Sequence, residues 1–131
     1  MKYLLDTQVL IFLGCGYQDR VSQRVLEIYQ SPESKIFISQ ISYWEIAIKI
    51  NIGKLHIPIG LRNVMMCTKQ AGIEMIPVDN SHILCYQDLE LHENHTDPFD
   101  RFIIAVALRE KLKILSNDTQ FDAYKQVTRI W

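Results

Sequence analysis

The sequence predicts an α/β fold in which a central parallel sheet lies between two layers of helices. Short apolar runs containing β-branched or aromatic residues recur along the chain, and helical patterns separate them. Strands that alternate with helices in this way are typical of parallel sheets that are covered on both faces. The predicted strands are residues 3–5, 36–38, 75–78, 113–115 and 127–130.

The helices between these strands are indicated by apolar spacing and by glycines at their ends. Residues 21–28 repeat apolar side chains at helical spacing. A second helix continues through Ile50, and Gly53 is placed to end it. Residues 61–70 form a third predicted helix, which Gly72 closes.

The clearest helix start is Asp97-Pro98, because an Asp N-cap followed by proline satisfies free backbone amides and fixes φ in advance. This helix is predicted to run to about residue 111. Its body is apolar nearly all round, which indicates burial on more than one side. Asp97 is explained by the capping role, whereas Asp100 is not needed for it.

Length and composition favour a single domain over residues 1–131. The chain is 48% hydrophobic, and we see no repeat, low-complexity tract or linker. The formal net charge of −1 gives no general attraction to nucleic acid or to an anionic membrane. No stretch approaches the roughly 20 apolar residues of a membrane span. The three cysteines lack C-x-x-C spacing, so a reducing cytoplasm is expected.

Four acidic residues, Asp6, Glu45, Asp100 and Asp118, occupy strand ends or helix starts that a parallel sheet would bring to one edge. Ligands bind at that edge in open α/β sheets. Carboxylates brought this close repel each other unless a cation neutralises them. Oxygen ligands favour Mg²⁺ or Mn²⁺ over zinc, and such an ion can activate water for attack on a phosphoryl group.

Each of these acids also has a purely structural interpretation. Asp6, taken alone, is better explained as the N-cap of a helix that begins at Thr7, and Asp118 as a turn or cap. Ser42 and Glu45 have the spacing of a capping box. Against this, Glu45 is the only acid in an apolar stretch, where a carboxylate needs a partner. Considered together, the four positions favour one site over four separate caps.

Positive charge is concentrated between Glu45 and Glu74, a segment that contains no acid. A local basic surface of this kind would suit a polyanion. The alternative is an ordinary solvated helix face with an i,i+4 ion pair to Glu45. The basic residues considered are Lys49, Lys54, Arg62 and Lys69.

Other patterns carry less weight. His92 and His95 have a possible metal-ligand spacing, but without cysteine partners a surface loop is the expected interpretation. Tyr43 and Trp44 would be able to stack on nucleobases, yet aromatics on a buried helix are expected to be core residues.

Nearly the whole chain resembles the PIN-domain ribonucleases, and specifically the VapC-type toxins of bacterial toxin–antitoxin pairs. The matching segments are Leu4-Leu5-Asp6-Thr7, Ser42-Tyr43-Trp44-Glu45-Ile46-Ala47-Ile48-Lys49 leading into Gly53-Lys54-Leu55, His95-Thr96-Asp97-Pro98-Phe99-Asp100-Arg101, and Ile114-Leu115-Ser116-Asn117-Asp118.

This resemblance implies a PIN-like three-layer α/β/α sandwich that cleaves RNA with Mg²⁺ or Mn²⁺. It implies that Asp6, Glu45, Asp100 and Asp118 hold the metal, and that three further residues support the site. It also implies a homodimer and a VapB-like antitoxin that blocks the active-site groove. The supporting residues are Thr7, Ser116 and Asp97.

Phosphoryl-transfer α/β domains also place acids at strand ends, but the sequence matches neither of two such classes. A haloacid-dehalogenase-like phosphatase needs a second Asp two residues after its nucleophile, and Gln8 stands there. A response-regulator receiver needs paired acids near its first strand and a lysine after a late strand, and neither is found. An inactive interaction module with the same fold is a third hypothesis, but the presence of all four acids speaks against it.

Overall fold

The computed structural model describes all of residues 1–131, which form six α-helices and one five-stranded sheet. The strands are β1 (Lys2–Leu5), β2 (Lys35–Ser39), β3 (Glu74–Ile76), β4 (Lys113–Leu115) and β5 (Arg129–Ile130). The helices are α1 (Thr7–Gly14), α2 (Gln23–Gln30), α3 (Gln40–Asn51), α4 (Gly60–Gln70), α5 (Asn80–Gln87) and α6 (Pro98–Glu110).

All the strand pairings are parallel, in the spatial order β3-β2-β1-β4-β5. The predicted fold class is therefore confirmed. None of the helices combines the length and the apolar character that crossing a membrane would require.

Side-chain alternation along the central strand β1 creates two cores, one on each face of the sheet. Tyr3 and Leu5 pack into a cluster with residues of α1, α2 and α4. Leu4, which points to the opposite face, packs with residues of α6. The buried body of α6 is thus explained by its place against the sheet, as its apolar sequence predicted.

Glycine ends two helices as predicted. Gly53 and Gly72 follow α3 and α4 closely, with φ of 75° and 80°. That left-handed conformation is one that glycine adopts without steric cost, so the chain turns sharply after each helix.

Helix α5 was not anticipated from the sequence. Its apolar residues Ile83 and Leu84 are exposed, and its buried side chain is His82. The helix therefore lacks the apolar periodicity by which helices are found in a sequence. Its start is fixed by Asp79, whose carboxylate accepts a hydrogen bond from the Ser81 amide at 2.8 Å.

The strand order places a crevice between β1 and β4. From β1 the chain first builds outward through β2 to β3, and then returns to the other side of β1 with β4 and β5. In open α/β sheets, ligands bind outside the carboxyl ends of the strands where this reversal occurs. The residues that follow β1 and β4 are Asp6 and Ser116, so the predicted site residues begin at this point.

Candidate functional site

Asp6 lies at the end of β1, where its backbone amide donates to the Leu115 carbonyl at 3.1 Å and extends the pairing with β4. Its side chain is buried, and Oδ2 accepts a hydrogen bond from the Ser116 hydroxyl at 2.7 Å. Asp6 occupies the N-cap position of α1, as the structural interpretation predicted, but its carboxylate makes no capping hydrogen bond to that helix. The neighbouring strand end, and not the following helix, supplies its partner.

Ser116 connects two of the predicted acids. Its hydroxyl donates to Asp6 and accepts from the Asp118 amide at 3.0 Å. Asp118 also caps the short helical turn after it, because Oδ1 accepts from the Gln120 amide at 2.9 Å. The cap interpretation of Asp118 is therefore confirmed, and it coexists with a position at the acidic cluster.

Glu45 is buried in the second turn of α3. The helix is capped by Ser39, so the predicted capping box with Ser42 is wrong. The Ser42 hydroxyl instead accepts a hydrogen bond from Thr7 Oγ1 at 2.8 Å, which links α3 to α1. Glu45 Oε2 accepts from Lys49 Nζ at 2.8 Å, as the i,i+4 alternative predicted, and Oε1 is buried without any hydrogen-bond partner.

Asp97 is the N-cap of α6, as predicted. Its Oδ1 accepts from the amides of Phe99 and Asp100 at 2.9 and 3.0 Å. Because Asp97 is exposed and its oxygen is engaged by the helix, it serves to aim the first turn of α6 at the sheet edge. The neighbouring Asp100 is left free to face the other acids.

The four predicted acids lie close enough together for their charges to add to the raised pKa values of Asp6 and Asp100. Burial raises the pKa of Asp100 to about 8, and the negative charges of Asp6, Asp97, Glu45 and Asp118 add to the rise. Burial likewise raises the pKa of Asp6 to about 6, against the opposing effects of the Ser116 hydrogen bond and the adjacent Thr7 amide, and the charges of Glu45 and Asp118 add smaller increases. The structure thus brings together the acids that the sequence placed at one edge.

His95 lies in a connecting segment, as expected, but its side chain is buried, so the expected surface position is wrong. The side chain is 2% exposed, and Nε2 lies 3.5 Å from Asp100 Oδ2. Burial lowers its pKa. One signal was present in the sequence: His95 stands two residues before the helix start that carries Asp100. Its buried partner Tyr124, however, is 29 residues away along the chain.

The four basic residues do not all lie beside the acidic cluster. Lys49 lies beside them, and its hydrogen bond to Glu45 raises its pKa. Lys54 and Arg62 are exposed, after α3 and in the first turn of α4. Lys69 lines a separate apolar groove.

This groove lies between α3, α4 and β3 and has a volume of about 1150 Å³. Its walls include Leu61, Met65 and Met75. Trp44 also lines it and is 61% exposed, so its predicted place in the core is wrong. The Trp44 ring meets Phe99 edge to face at 5.7 Å between centroids, which connects the groove to the rim of the acidic cluster.

The PIN domain family model matches residues 3–127 of the chain. No individually curated protein matches the sequence. Among solved structures, VapBC2 from Rickettsia felis bound to a promoter DNA fragment has a TM-score of 0.74 at 17% identity, over 99% of this chain and 98% of that chain. VapBC-1 from nontypeable Haemophilus influenzae has a TM-score of 0.67 at 19% identity, over 99% and 97%. FitAcB from Neisseria gonorrhoeae has a TM-score of 0.64 at 17% identity, over 100% and 97%. At these identities the likeness shows a shared fold.

Proposed function

Because the chain belongs to the PIN-domain family, we propose that it is a ribonuclease that depends on Mg²⁺ or Mn²⁺ and acts as the toxin of a VapBC-like pair. The observation that carries the proposal is the acidic cluster itself. Asp6, Glu45, Asp100 and Asp118 meet at the crevice between β1 and β4, and the pKa values of Asp6 and Asp100 are raised to about 6 and about 8. A bound cation would stabilise the charged form of these carboxyl groups.

The donor set fits a hard divalent cation. The four acids offer only oxygen ligands, which Mg²⁺ and Mn²⁺ accept. Glu45 Oε1 is buried with no hydrogen-bond partner, which is an unfavourable state for a carboxylate oxygen unless a further group binds it. When bound, a divalent cation would lower the pKa of a water molecule and neutralise charge that develops on a phosphoryl oxygen.

The residues around the acids hold them in place for this task. The Ser116 hydroxyl fixes one oxygen of Asp6 and also binds the backbone of Asp118. Lys49, one turn after Glu45 on α3, holds the Glu45 carboxylate by a hydrogen bond. Pre-positioned acids lower the reorganisation that binding and reaction would otherwise require.

Lys49 is also the cation best placed to contact an RNA phosphate beside the cluster. Nearly half of its side chain is exposed, so its ammonium group can reach solvent while it binds Glu45. We propose that Lys54, Arg62 and Lys69 hold the RNA backbone farther from the scissile bond. Binding of this type weakens with salt, because cations are released from the RNA when lysine and arginine replace them.

Two protein partners belong to the proposal: a second copy of the chain and a VapB-like antitoxin. Solved structures that share this fold include a toxin–antitoxin complex and a member of the VapBC family of toxin–antitoxin systems. The apolar groove beside Trp44 offers a surface that suits a protein partner, because exposed apolar patches of this extent favour association. Co-expression with the antitoxin and light scattering on the purified toxin test the two associations separately.

Incubation of the purified protein with total cellular RNA, with Mg²⁺ or with EDTA, tests the proposed activity. We expect discrete cuts with metal and none with EDTA, and mapping the new ends identifies the target. Asp6→Asn is the matched inactive variant, because it keeps the side-chain shape and removes the charge. Equal cleavage by wild type and variant would mean that a contaminating nuclease, and not this site, cuts the RNA.

A further inference from the structure

His95 is held rigidly beside the acidic cluster by residues that play no part in the proposed four-carboxylate site. Nδ1 lies 2.9 Å from the Tyr124 hydroxyl, and Tyr124 is itself buried. The same hydroxyl accepts a hydrogen bond at 2.8 Å from Arg101, whose guanidinium is also buried and donates to the Glu90 carbonyl. The imidazole ring therefore has a fixed orientation.

Aromatic contacts support this orientation. The His95 ring packs against Tyr124 and Phe121, with centroid separations of 5.3 and 5.5 Å. A histidine constrained on two sides and at one ring nitrogen presents its other nitrogen in one direction only. That direction is toward the acids.

The presented nitrogen, Nε2, has no hydrogen-bond partner although it is buried. It lies 3.5 Å from Asp100 Oδ2, too far for a good hydrogen bond. Ligand atoms of His95, Asp100 and Asp118 all lie within 4.8 Å of one another. Ligands about 2.1 Å from one ion are roughly 3 to 4 Å apart, so a small adjustment allows all three to share it.

We propose that His95 Nε2 is an additional ligand of the metal bound by Asp100 and Asp118, and that this nitrogen makes the site bind Mn²⁺ in preference to Mg²⁺. The inference rests on the proposed function, whose metal site it deepens. Mg²⁺ is a hard cation that prefers oxygen, whereas first-row transition ions also accept imidazole nitrogen.

The contact with Tyr124 is the arrangement that a metal-binding histidine needs at its other nitrogen. Ligating histidines donate Nδ1–H to an acceptor, which fixes the tautomer and leaves a lone pair on Nε2 for the metal. The Tyr124 oxygen can accept from both His95 and Arg101, because a hydroxyl oxygen has two lone pairs. Arg101 thereby positions Tyr124, and Tyr124 positions His95.

The variant that tests the inference is His95→Asn. Asparagine can keep a hydrogen bond near the position of Nδ1 but has no atom at the position of Nε2. His56→Asn is the matched control, because His56 is an exposed histidine outside the cluster. Circular dichroism checks that each variant is folded. Tyr124→Phe is the second variant, which keeps the ligand and removes the hydroxyl that orients it.

Two measurements are made without any assay of activity. Calorimetry gives the affinities for Mn²⁺ and Mg²⁺, and pulsed electron paramagnetic resonance on the Mn²⁺ complex detects coupling to a bound imidazole nitrogen. We expect nitrogen coupling in wild type and in His56→Asn, and none in His95→Asn. We also expect the Mn²⁺ affinity of His95→Asn to fall at least about tenfold, with its Mg²⁺ affinity nearly unchanged. The Mn²⁺ affinity of Tyr124→Phe should fall about tenfold.

The outcomes separate this inference from the proposed function. Wild-type protein that binds Mn²⁺ without nitrogen coupling, or His95→Asn with unchanged Mn²⁺ affinity, would overturn the role of His95 and leave the carboxylate site standing. Wild-type protein that binds neither metal would overturn both. If His95→Asn does not fold, the wild-type spectrum and the Tyr124→Phe affinities still decide the question.

Discussion

Replacing Asp100 with asparagine should stabilise the metal-free protein at pH 8, although it removes a residue of the proposed active site. The pKa of Asp100 is raised from 3.8 to about 8, first by burial and then by the neighbouring acids. A carboxyl group with a raised folded pKa destabilises the fold wherever the unfolded chain is ionised. Stability therefore falls as pH rises from about 4 to about 8.

The size of the effect follows from the shift. One pKa unit corresponds to about 1.4 kcal/mol, so a rise of four units corresponds to at most about 6 kcal/mol. Asp100 is 23% exposed and can relax toward solvent, so we expect about 2 to 4 kcal/mol. For a domain of this size, this difference raises the melting temperature by roughly 6 to 12 °C.

Thermal melts in EDTA at pH 8 and at pH 4.5 measure this difference. Asp100→Asn should melt above wild type at pH 8, and the two should converge at pH 4.5, where Asp100 is protonated in the folded protein. Asp97→Asn is the control, since asparagine caps a helix about as well as aspartate. It removes only one of the charges that raise the pKa of Asp100, so its stabilisation at pH 8 should be the smaller of the two. Equal melting temperatures at pH 8, or a difference that persists at pH 4.5, would refute the reasoning.

Three further predictions concern the metal, the basic residues and the Ser116 hydroxyl. Mg²⁺ or Mn²⁺ at about 100 times its dissociation constant should stabilise the fold by about 3 kcal/mol, which thermal melts measure as a rise in melting temperature. The double variant Asp6→Asn, Asp118→Asn should abolish that rise. An unchanged shift in the double variant would place the metal elsewhere. Lys54→Ala with Arg62→Ala should weaken RNA binding in filter assays and flatten its dependence on salt; unchanged affinity and slope would exclude these residues. Ser116→Ala should lower the cleavage rate about tenfold, because Asp6 loses its fixed orientation. It should also cost about 1 to 3 kcal/mol of stability, because Asp6 and the Asp118 amide lose a buried hydrogen-bond partner. A wild-type rate would deny the hydroxyl its role in orienting Asp6.

The parts of the fold that the sequence predicted are those determined by local patterns. The N-cap Asp97 and Pro98 define the start of α6, and their partners lie within three residues of them. Gly53 and Gly72 end their helices for reasons that are equally local. Helix α5 escaped prediction because its buried residue is His82 and its apolar residues face solvent.

The site was predicted by position, but its contacts were not. Asp6 was better explained as a cap, because its actual partner, Ser116, is 110 residues away in the sequence. The surface position expected for His95 is wrong for the same reason, since its buried partner Tyr124 is 29 residues away. Strand ends show where side chains gather, whereas tertiary packing decides which of them meet.

Cleavage of a defined single-stranded RNA, compared among wild type, Asp97→Asn and Asp100→Asn, tests the central claim most directly. We predict cleavage by wild type in Mg²⁺ or Mn²⁺, and a rate near wild type for Asp97→Asn. Asp100→Asn should lose more than about 100-fold in rate, which exceeds the loss expected for a residue that only hydrogen-bonds to a metal ligand. Cleavage by Asp100→Asn at the wild-type rate, or a greater loss in Asp97→Asn, would contradict the assignment of Asp100 to the catalytic metal site.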